Sequence, residues 1–221
     1  MSIVAFSELR TAAYCPRQCY YDRTNGGPTI PPHVERIRTL AFRYPSLLDA
    51  DRATLSNAPI AIDPEDYRER LAETRETIDR WDALCRPPRR MALVEGRDCR
   101  GIVHKVLTDP LEPVIVSVGE PPERGVWEPQ SVHAVAAAKA LAWEYRRQVE
   151  SAVVEYPAYG VIRRFQITTR RKAAYRRTLR AVREIDGPPP RVDDRSKCES
   201  CEYVEQCGVR TRTLRTLLGF G

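Results

Sequence analysis

Cysteines are the residues of this chain whose type and spacing could do chemistry. Three of them lie within ten residues, as the C-x2-C pair Cys198 and Cys201 followed by Cys207. A C-x2-C pair places two thiolates close enough to hold one metal ion or one edge of a cluster, and a third cysteine supplies a further corner. The sequence therefore predicts a metal site near the C-terminal end of the chain.

A tetrahedral zinc site or an iron–sulfur cluster needs a fourth ligand. The remaining cysteines and, for zinc, the histidines are the candidates: Cys15, Cys19, Cys85, Cys99, His33, His104 and His133. The N-terminus has no basic, apolar secretory signal, and no stretch approaches the length of about 18 apolar residues that a membrane span needs. We therefore expect a cytoplasmic protein without a membrane partner, in which thiols are reduced and act as ligands rather than disulfides.

The element pattern predicts an α/β fold, a mixed sheet flanked by helices. A helix over 7–23 is interrupted at Cys15-Pro16, a second covers 32–44, and a third covers 64–85 behind the cap Asp63. Strands follow at 91–95, 101–107 and 114–118, then an alanine-rich helix at 130–147, strands at 149–156 and 160–168, and a basic helix at 170–184. We divide the chain into a helical N-terminal part (1–90), an α/β core (91–190) and a cysteine-rich lobe (191–221).

Positive charge is concentrated in the second half of the core. The net charge of +6 weakly favours a polyanionic partner. The stretch 156–183 has basic residues and no acidic ones, which favours phosphate contacts, and Arg210, Arg212 and Arg215 add to it in the tail. The residues that we expect to bind nucleic acid are Arg163, Arg164, Arg170, Arg171, Lys172, Arg176 and Arg177.

Tyr14-Cys15-Pro16-Arg17-Gln18 followed by Tyr20-Tyr21, together with C-x2-C-x5-C at the far end, resembles the CRISPR-associated Cas-four family. Its members are RecB-like nucleases of the PD-(D/E)XK superfamily with an iron–sulfur domain. The resemblance implies a 4Fe–4S cluster on Cys15, Cys198, Cys201 and Cys207, with Cys19, Cys85 and Cys99 as buried spectators. It also implies single- or double-stranded DNA and CRISPR adaptation proteins as partners.

The family's catalytic pattern is a Gly-x-x-Asp strand, a Glu-x-Lys strand and a Gln-x-x-x-Tyr helix. In this sequence the corresponding positions are His104, then Ser117 and Gly119, then His133 and Ala137. Mg²⁺ and Mn²⁺ are held by carboxylate oxygens, which these residues do not supply. The resemblance therefore implies a nuclease whose catalytic motifs are degenerate.

We thus expect a nucleic-acid-binding iron–sulfur protein that is catalytically silent or much reduced. One alternative is an active exonuclease that holds Mg²⁺ or Mn²⁺ with other carboxylates near the strand ends, for which the candidates are Glu95, Asp98, Asp109, Glu120 and Glu123. His104 and His133 could also bind a softer metal. A further alternative is a zinc-stabilised scaffold whose basic face binds a protein.

Overall fold

The computed structural model describes residues 2–27 and 30–208. Its strands are β1 (Val4–Ala5), β2 (Arg89–Glu95), β3 (Cys99–Thr108), β4 (Leu111–Val116), β5 (Ser151–Tyr156) and β6 (Val161–Gln166). Its helices are α1 (Phe6–Tyr14), α2 (Pro16–Thr24), α3 (Pro32–Leu40), α4 (Tyr44–Leu48), α5 (Arg52–Ser56), α6 (Pro64–Thr77), α7 (Trp81–Cys85), α8 (Glu128–Tyr145) and α9 (Thr169–Arg183). Short 3₁₀ turns lie at Pro157–Tyr159 and Arg195–Cys198.

The strands form one mixed, open sheet. Its order is β1-β3-β4-β5-β6, with β2 paired along β3. The β1–β3 and β4–β5 pairs are parallel, whereas β2–β3, β3–β4 and β5–β6 are antiparallel. The predicted α/β class, a mixed sheet flanked by helices, is confirmed.

Alternation along the strands sends side chains into two hydrophobic clusters, one on each face of the sheet. On β4, Ile115 belongs to the cluster that includes residues of α1, α8 and α9. Its neighbours Val114 and Val116 belong to the other cluster, which includes residues of α4, α6 and α7. We call these the α8 face and the α6 face of the sheet.

Two predicted helices are divided. The helix expected over 64–85 begins at Pro64, as predicted, with the Asp63 carboxylate accepting the Glu65 N–H at 2.8 Å. It ends at Thr77, however, because Ile78 is extended (φ −103°, ψ 116°). The helix expected over 32–44 ends at Leu40, and a new one begins at Tyr44-Pro45, since proline is tolerated only in a helix's first turn.

Two findings complete the fold. The strand β1 was not predicted, because two residues are too few to show an alternating pattern. No helix within residues 2–27 and 30–208 is both long enough and apolar enough to cross a membrane.

Candidate metal centre and the adjoining cleft

Cys15 lies at the joint between α1 and α2. Proline disfavours the helical conformation in the residue before it, and Cys15, which precedes Pro16, is extended (φ −154°, ψ 111°). Its N–H donates to the Thr11 carbonyl at 2.8 Å, and its carbonyl accepts the Cys19 N–H at 3.2 Å. The Cys-Pro sequence therefore ends one helix and begins the next with the thiol between them.

The other three cysteines lie in the C-terminal lobe, whose described part is residues 191–208. Cys198 ends a 3₁₀ turn, and the Cys201 N–H donates to the Cys198 carbonyl at 3.3 Å. The Cys207 N–H donates to the Tyr203 carbonyl at 2.8 Å, and the Arg191 Nε donates to the Cys207 carbonyl at 3.0 Å. Successive turns thus hold the three cysteines in one small segment.

The lobe packs against α1 and α2 through a reciprocal contact of Tyr14 with Lys197. The Tyr14 hydroxyl donates to the Lys197 carbonyl at 3.4 Å, and the Lys197 ammonium donates to the Tyr14 carbonyl at 3.2 Å. The same ammonium lies 5.2 Å from the Tyr14 ring centroid. Arg17 Nη1 adds a hydrogen bond of 3.0 Å to the Pro189 carbonyl.

Further along α2, Tyr21 and Asp22 contact the lobe. The Tyr21 hydroxyl donates to the Gln206 carbonyl at 3.1 Å, and its ring centroid lies 5.4 Å from that of Tyr203. The Tyr203 hydroxyl donates to an Asp22 carboxylate oxygen at 2.9 Å in a buried hydrogen bond. Several residues of the N-terminal motif therefore dock the lobe. Sequence reasoning missed the Asp22–Tyr203 pair, since 181 residues separate its members and no spacing connects them.

Docking brings the four predicted ligands together around a shared space. Cys15, Cys198 and Cys207 line two small cavities of about 20 Å³ each, and Cys201 lines one of them. Burial raises the pKa of the Cys201 thiol, and the other three cysteines add to the rise. Within the described ranges, no group of three or more His, Cys, Asp and Glu side chains is arranged to hold a single metal ion.

The three remaining cysteines are in the core, as expected of spectators. Cys19 and Cys99 belong to the α8-face cluster and Cys85 to the α6-face cluster. Burial raises the pKa of the Cys19 and Cys85 thiols to about 11 and also raises that of Cys99. These thiols are therefore protonated at neutral pH and suit packing rather than ligation.

The proposed nuclease-motif positions on β3 and after β4 lie next to each other. His104 on β3 is buried, and its Nδ1 accepts the Val116 N–H at 3.2 Å. Burial, followed by the charges of Arg38, Arg10 and Lys105, lowers the pKa of His104 to about 3, so the ring is neutral. Accepting at Nδ1 leaves its proton on Nε2.

Ser117 and the start of α8 complete these positions. The Ser117 hydroxyl accepts from Gln130 Nε2 at 3.2 Å, whereas Gln130 Oε1 is buried without a hydrogen-bond partner among the described residues. His133, one turn further along α8, is buried, and both its ring nitrogens also lack a partner there. Burial and then the Arg10 charge lower its pKa well below the ordinary value. Gly119 is exposed.

Buried carboxylates do exist on the sheet, but they lie on its α6 face. Glu112 and Glu155 have the same strand parity as Val114 and Val153, which belong to the α6-face cluster. Glu155 accepts from the Lys105 ammonium at 2.8 Å. Glu112 accepts from Arg80 and Arg164 and from the Ser151 hydroxyl. Sequence reasoning missed this network; its only signal is charged residues inside apolar strands.

The other candidate carboxylates are spread along the surface. Asp98 pairs with Arg183 at 3.1 Å, Asp109 lies 3.7 Å from Arg147, and Glu95 lies 4.0 Å from Arg100. Glu120 and Glu123 are exposed on the segment between β4 and α8. These five residues do not form a group that could hold an ion.

The predicted nucleic-acid residues occupy different environments. Four are exposed on α9, and their side chains have no ion pair or hydrogen bond with a described residue: Arg170, Lys172, Arg176 and Arg177. Arg171 Nη1 instead donates to the Ser131 hydroxyl at 2.6 Å, and its guanidinium lies 4.3 Å from the Phe165 ring centroid. Arg163 reaches the Glu123 carbonyl at 3.4 Å, and Arg164 bonds Glu112 at 2.7 Å. The predicted tail residues Arg210, Arg212 and Arg215 lie outside the described residues.

A cleft of about 820 Å³ separates the lobe from the motif positions. Its walls come from α1, α2, the segment between β4 and α8, the start of α8, and the lobe, and they include Arg10, Tyr14, Gly119, Trp127, Gln130, Lys197 and Cys201. The cleft thus connects the cysteine centre to the edge of the motif positions. Neither a scan against protein-family models nor a search of curated proteins returns a match for this chain.

Proposed function

We propose that this chain is a nucleic-acid-binding iron–sulfur protein, built on a RecB-like nuclease fold that no longer cleaves. The observation that carries the proposal is the meeting of Cys15 with Cys198, Cys201 and Cys207 around one cavity. Four thiolates are the ligand set that 4Fe–4S clusters use. CRISPR adaptation proteins are the partner class that the sequence resemblance implies.

The cluster's role in this proposal is structural. Ligand binding by residues from both ends of a chain stabilises the folded state, because the unfolded chain has no preformed site. The residues that support the site are those that dock the lobe, above all Tyr14, Tyr21 and Asp22. Zinc is the alternative occupant of the same four thiols.

The motif positions support catalytic silence. Metal-assisted phosphodiester hydrolysis requires carboxylates that hold the cation and a base that activates water. Here His104 and Ser117 supply neither, and the buried carboxylates Glu112 and Glu155 are paired on the opposite face of the sheet.

The exposed residues of α9 support the nucleic-acid partner. Four cations on one helix that form no ion pair with a described residue repel each other unless a polyanion or salt neutralises them. Backbone contacts of this type are independent of base sequence.

Metal analysis of protein purified without oxygen tests the cluster. We expect iron and inorganic sulfide with broad visible absorption from the wild type, and loss of both in Cys15→Ala and Cys198→Ala. Cys85→Ala is the matched control, since this buried thiol lies away from the lobe and should leave the iron content unchanged. Zinc without iron in the wild type would contradict the proposed iron–sulfur cluster. An unchanged iron content in Cys15→Ala would contradict Cys15 as the fourth ligand.

A nuclease assay on single- and double-stranded DNA tests whether the protein is catalytically inactive. We expect no degradation above background with Mg²⁺ or Mn²⁺. Metal-dependent degradation that is lost in His104→Ala or Glu120→Ala would instead identify a working exonuclease with a rearranged site.

A further inference from the structure

A groove of about 360 Å³ lies along the second half of α8, between helix α9 and the turn that joins β2 to β3. Of the described residues that line it, none lines the large cleft or the cavities of the cysteine centre. We call it the α8–α9 groove and define it by Arg97, Lys139, Trp143 and Tyr175. It is therefore a separate site from the metal centre and the adjoining cleft.

Close contact between the turn and α8 builds one wall of this groove. A Cβ atom on Gly96 would lie 2.7 Å from the Ala140 Cα, so a glycine is needed where the turn meets the helix. The Gly96 N–H donates to the Cys99 carbonyl at 2.9 Å and closes the turn. The next residue, Arg97, is thereby held beside α8.

Trp143 gives the groove an exposed aromatic surface. Its side chain is 61 % exposed, and its ring forms no hydrogen bond or ring contact with a described residue. Trp127 differs in this respect, because its indole N–H donates to the Glu120 carbonyl at 2.8 Å. An indole in water presents apolar surface that a second stacked ring would cover.

The charge of the groove is positive. Arg97 and Lys139 are exposed and form no ion pair with a described residue. Lys139 lies one helical turn before Trp143, and its ammonium is 5.8 Å from the Tyr175 ring centroid. The acidic residue of the lining, Asp98, is paired with Arg183 at 3.1 Å. The groove therefore offers two cations to an anion beside one exposed ring.

The α8–α9 groove also adjoins the basic surface of α9. Tyr175, which lines the groove, belongs to that helix. Lys172 lies one turn before Tyr175, is exposed and has no ion pair with a described residue. A polyanion bound to α9 is thus close to Trp143 and Lys139.

We propose that the α8–α9 groove binds a nucleotide of single-stranded nucleic acid, with its base stacked on Trp143 and the flanking phosphates on Arg97 and Lys139. This inference rests on the proposed function, since it names the form of nucleic acid that the basic surface receives. Exposed aromatic rings beside a positive groove are the combination that single-strand binding proteins use. The bases of a duplex are stacked on each other and are not available to Trp143.

The affinity experiment uses the full-length protein with two probes, an oligothymidylate and an abasic strand of the same length. The abasic strand keeps the phosphates and removes the stacking partner. We expect Trp143→Ala to weaken oligothymidylate binding about tenfold and to leave binding of the abasic strand unchanged, as measured by fluorescence anisotropy. Trp143→Phe should recover most of the affinity, because phenylalanine also stacks.

Tryptophan fluorescence locates the stacked base. We expect oligothymidylate to quench part of the wild-type emission, because the base lies on the indole. The quenching should be lost in Trp143→Phe and kept in Trp127→Phe. Trp127 is the matched control, since its side chain is also half-exposed, at 50 %, but lies on the wall of the large cleft. Circular dichroism of each variant checks that it is folded.

The outcomes separate this inference from the proposed function. Unchanged oligothymidylate affinity in folded Trp143→Ala, or quenching that persists in Trp143→Phe, would overturn the stacking site. Equal wild-type affinity for the two strands would also overturn it, because phosphate contacts alone would then account for binding. In each of these cases nucleic-acid binding stands. A wild-type protein that binds neither strand would overturn both the groove and the proposed function.

Discussion

The two faces of the sheet differ in whether their buried ionisable side chains have partners within the protein. On the α6 face, Lys105 pairs with Glu155 at 2.8 Å, and Glu112 accepts from Arg80 and Arg164. On the α8 face, both ring nitrogens of His133 are buried without a partner among the described residues. The α6 face thus pairs its buried charges within the protein, although Glu155 Oε2 and the Tyr67 hydroxyl also have no partner among the described residues, whereas the α8 face leaves a whole imidazole unpaired.

Breaking the paired network should have the largest effect. Lys105 is fully buried, donates to the Ala41 carbonyl at 2.5 Å and lies 5.1 Å from the ring centroids of Phe42 and Tyr44. Lys105→Met leaves the buried Glu155 carboxyl without its cationic partner, so we expect the free energy of unfolding to fall by about 3–5 kcal/mol. Urea denaturation at neutral pH measures the loss.

The double variant Lys105→Met with Glu155→Leu is the control for this prediction. Replacing both partners removes the unpaired buried carboxyl, so it should recover part of the lost stability. A single variant as stable as the wild type would show that the pair does not support the α6 face.

The helices and strands that the sequence predicts correctly are those that depend on residues close together in the chain. A nearly continuous apolar run predicts β4, and a basic stretch closed by Gly187-Pro188 predicts α9. Asp63 and Pro64 mark the start of α6, and Cys15-Pro16 marks the break after α1. These features depend on neighbours in the chain, which a sequence displays directly.

Contacts that depend on sheet register or on docking are not readable in this way. Lys105 and Glu155 are members of different strands, and β4 lies between those strands, so their pairing follows from two registers together. The same applies to Arg164, which was predicted to contact nucleic acid and has its Nε on Glu112. The half-buried state of Arg10 also depends on how α1 packs against its neighbours. The spacing of apolar residues along α1 does not distinguish Arg10 from an exposed residue.

Lowering the pH should reduce the free energy of unfolding through the two buried histidines of the α8 face, His104 and His133. The folded-state pKa of His104 is about 3, below its ordinary value of 6.5, and that of His133 is also lowered. The unfolded chain therefore binds more protons below pH 6.5, so this stability is present above pH 6.5 and is lost progressively towards pH 3. We expect about 1.4 kcal/mol lost per pH unit for each histidine.

Denaturation of the wild type and of His104→Asn at neutral and mildly acidic pH measures this difference. Asparagine can accept the Val116 N–H without titrating, so the variant should show a shallower fall. Identical pH profiles would contradict the buried, neutral state of His104.

The basic residues extend the comparison to binding. Replacing Arg170, Lys172 and Arg176 together by Gln should flatten the dependence of log K on log salt by about 0.7–0.9 for each phosphate that the variant no longer neutralises. Arg164→Gln should leave this slope unchanged and lower the free energy of unfolding by about 1–2 kcal/mol, because Glu112 keeps Arg80. Anisotropy titrations at several salt concentrations measure the slopes. A salt dependence of binding that changes in Arg164→Gln and not in the triple variant would show that Arg164, rather than the exposed residues of α9, contacts phosphate.

The smallest expected effect is that of His133→Leu on stability, and His104→Leu is the variant with which it is compared. His104 accepts the Val116 N–H, so its replacement leaves a buried donor unpaired and should cost about 1–3 kcal/mol. His133 makes no hydrogen bond with a described residue, so its replacement removes an unsatisfied polar group. We expect His133→Leu to change the free energy of unfolding by less than about 1 kcal/mol, in the stabilising direction, and urea denaturation of both variants measures the difference. A large loss of stability in His133→Leu would show that the imidazole has a structural role, and that the α8 face is paired like the α6 face.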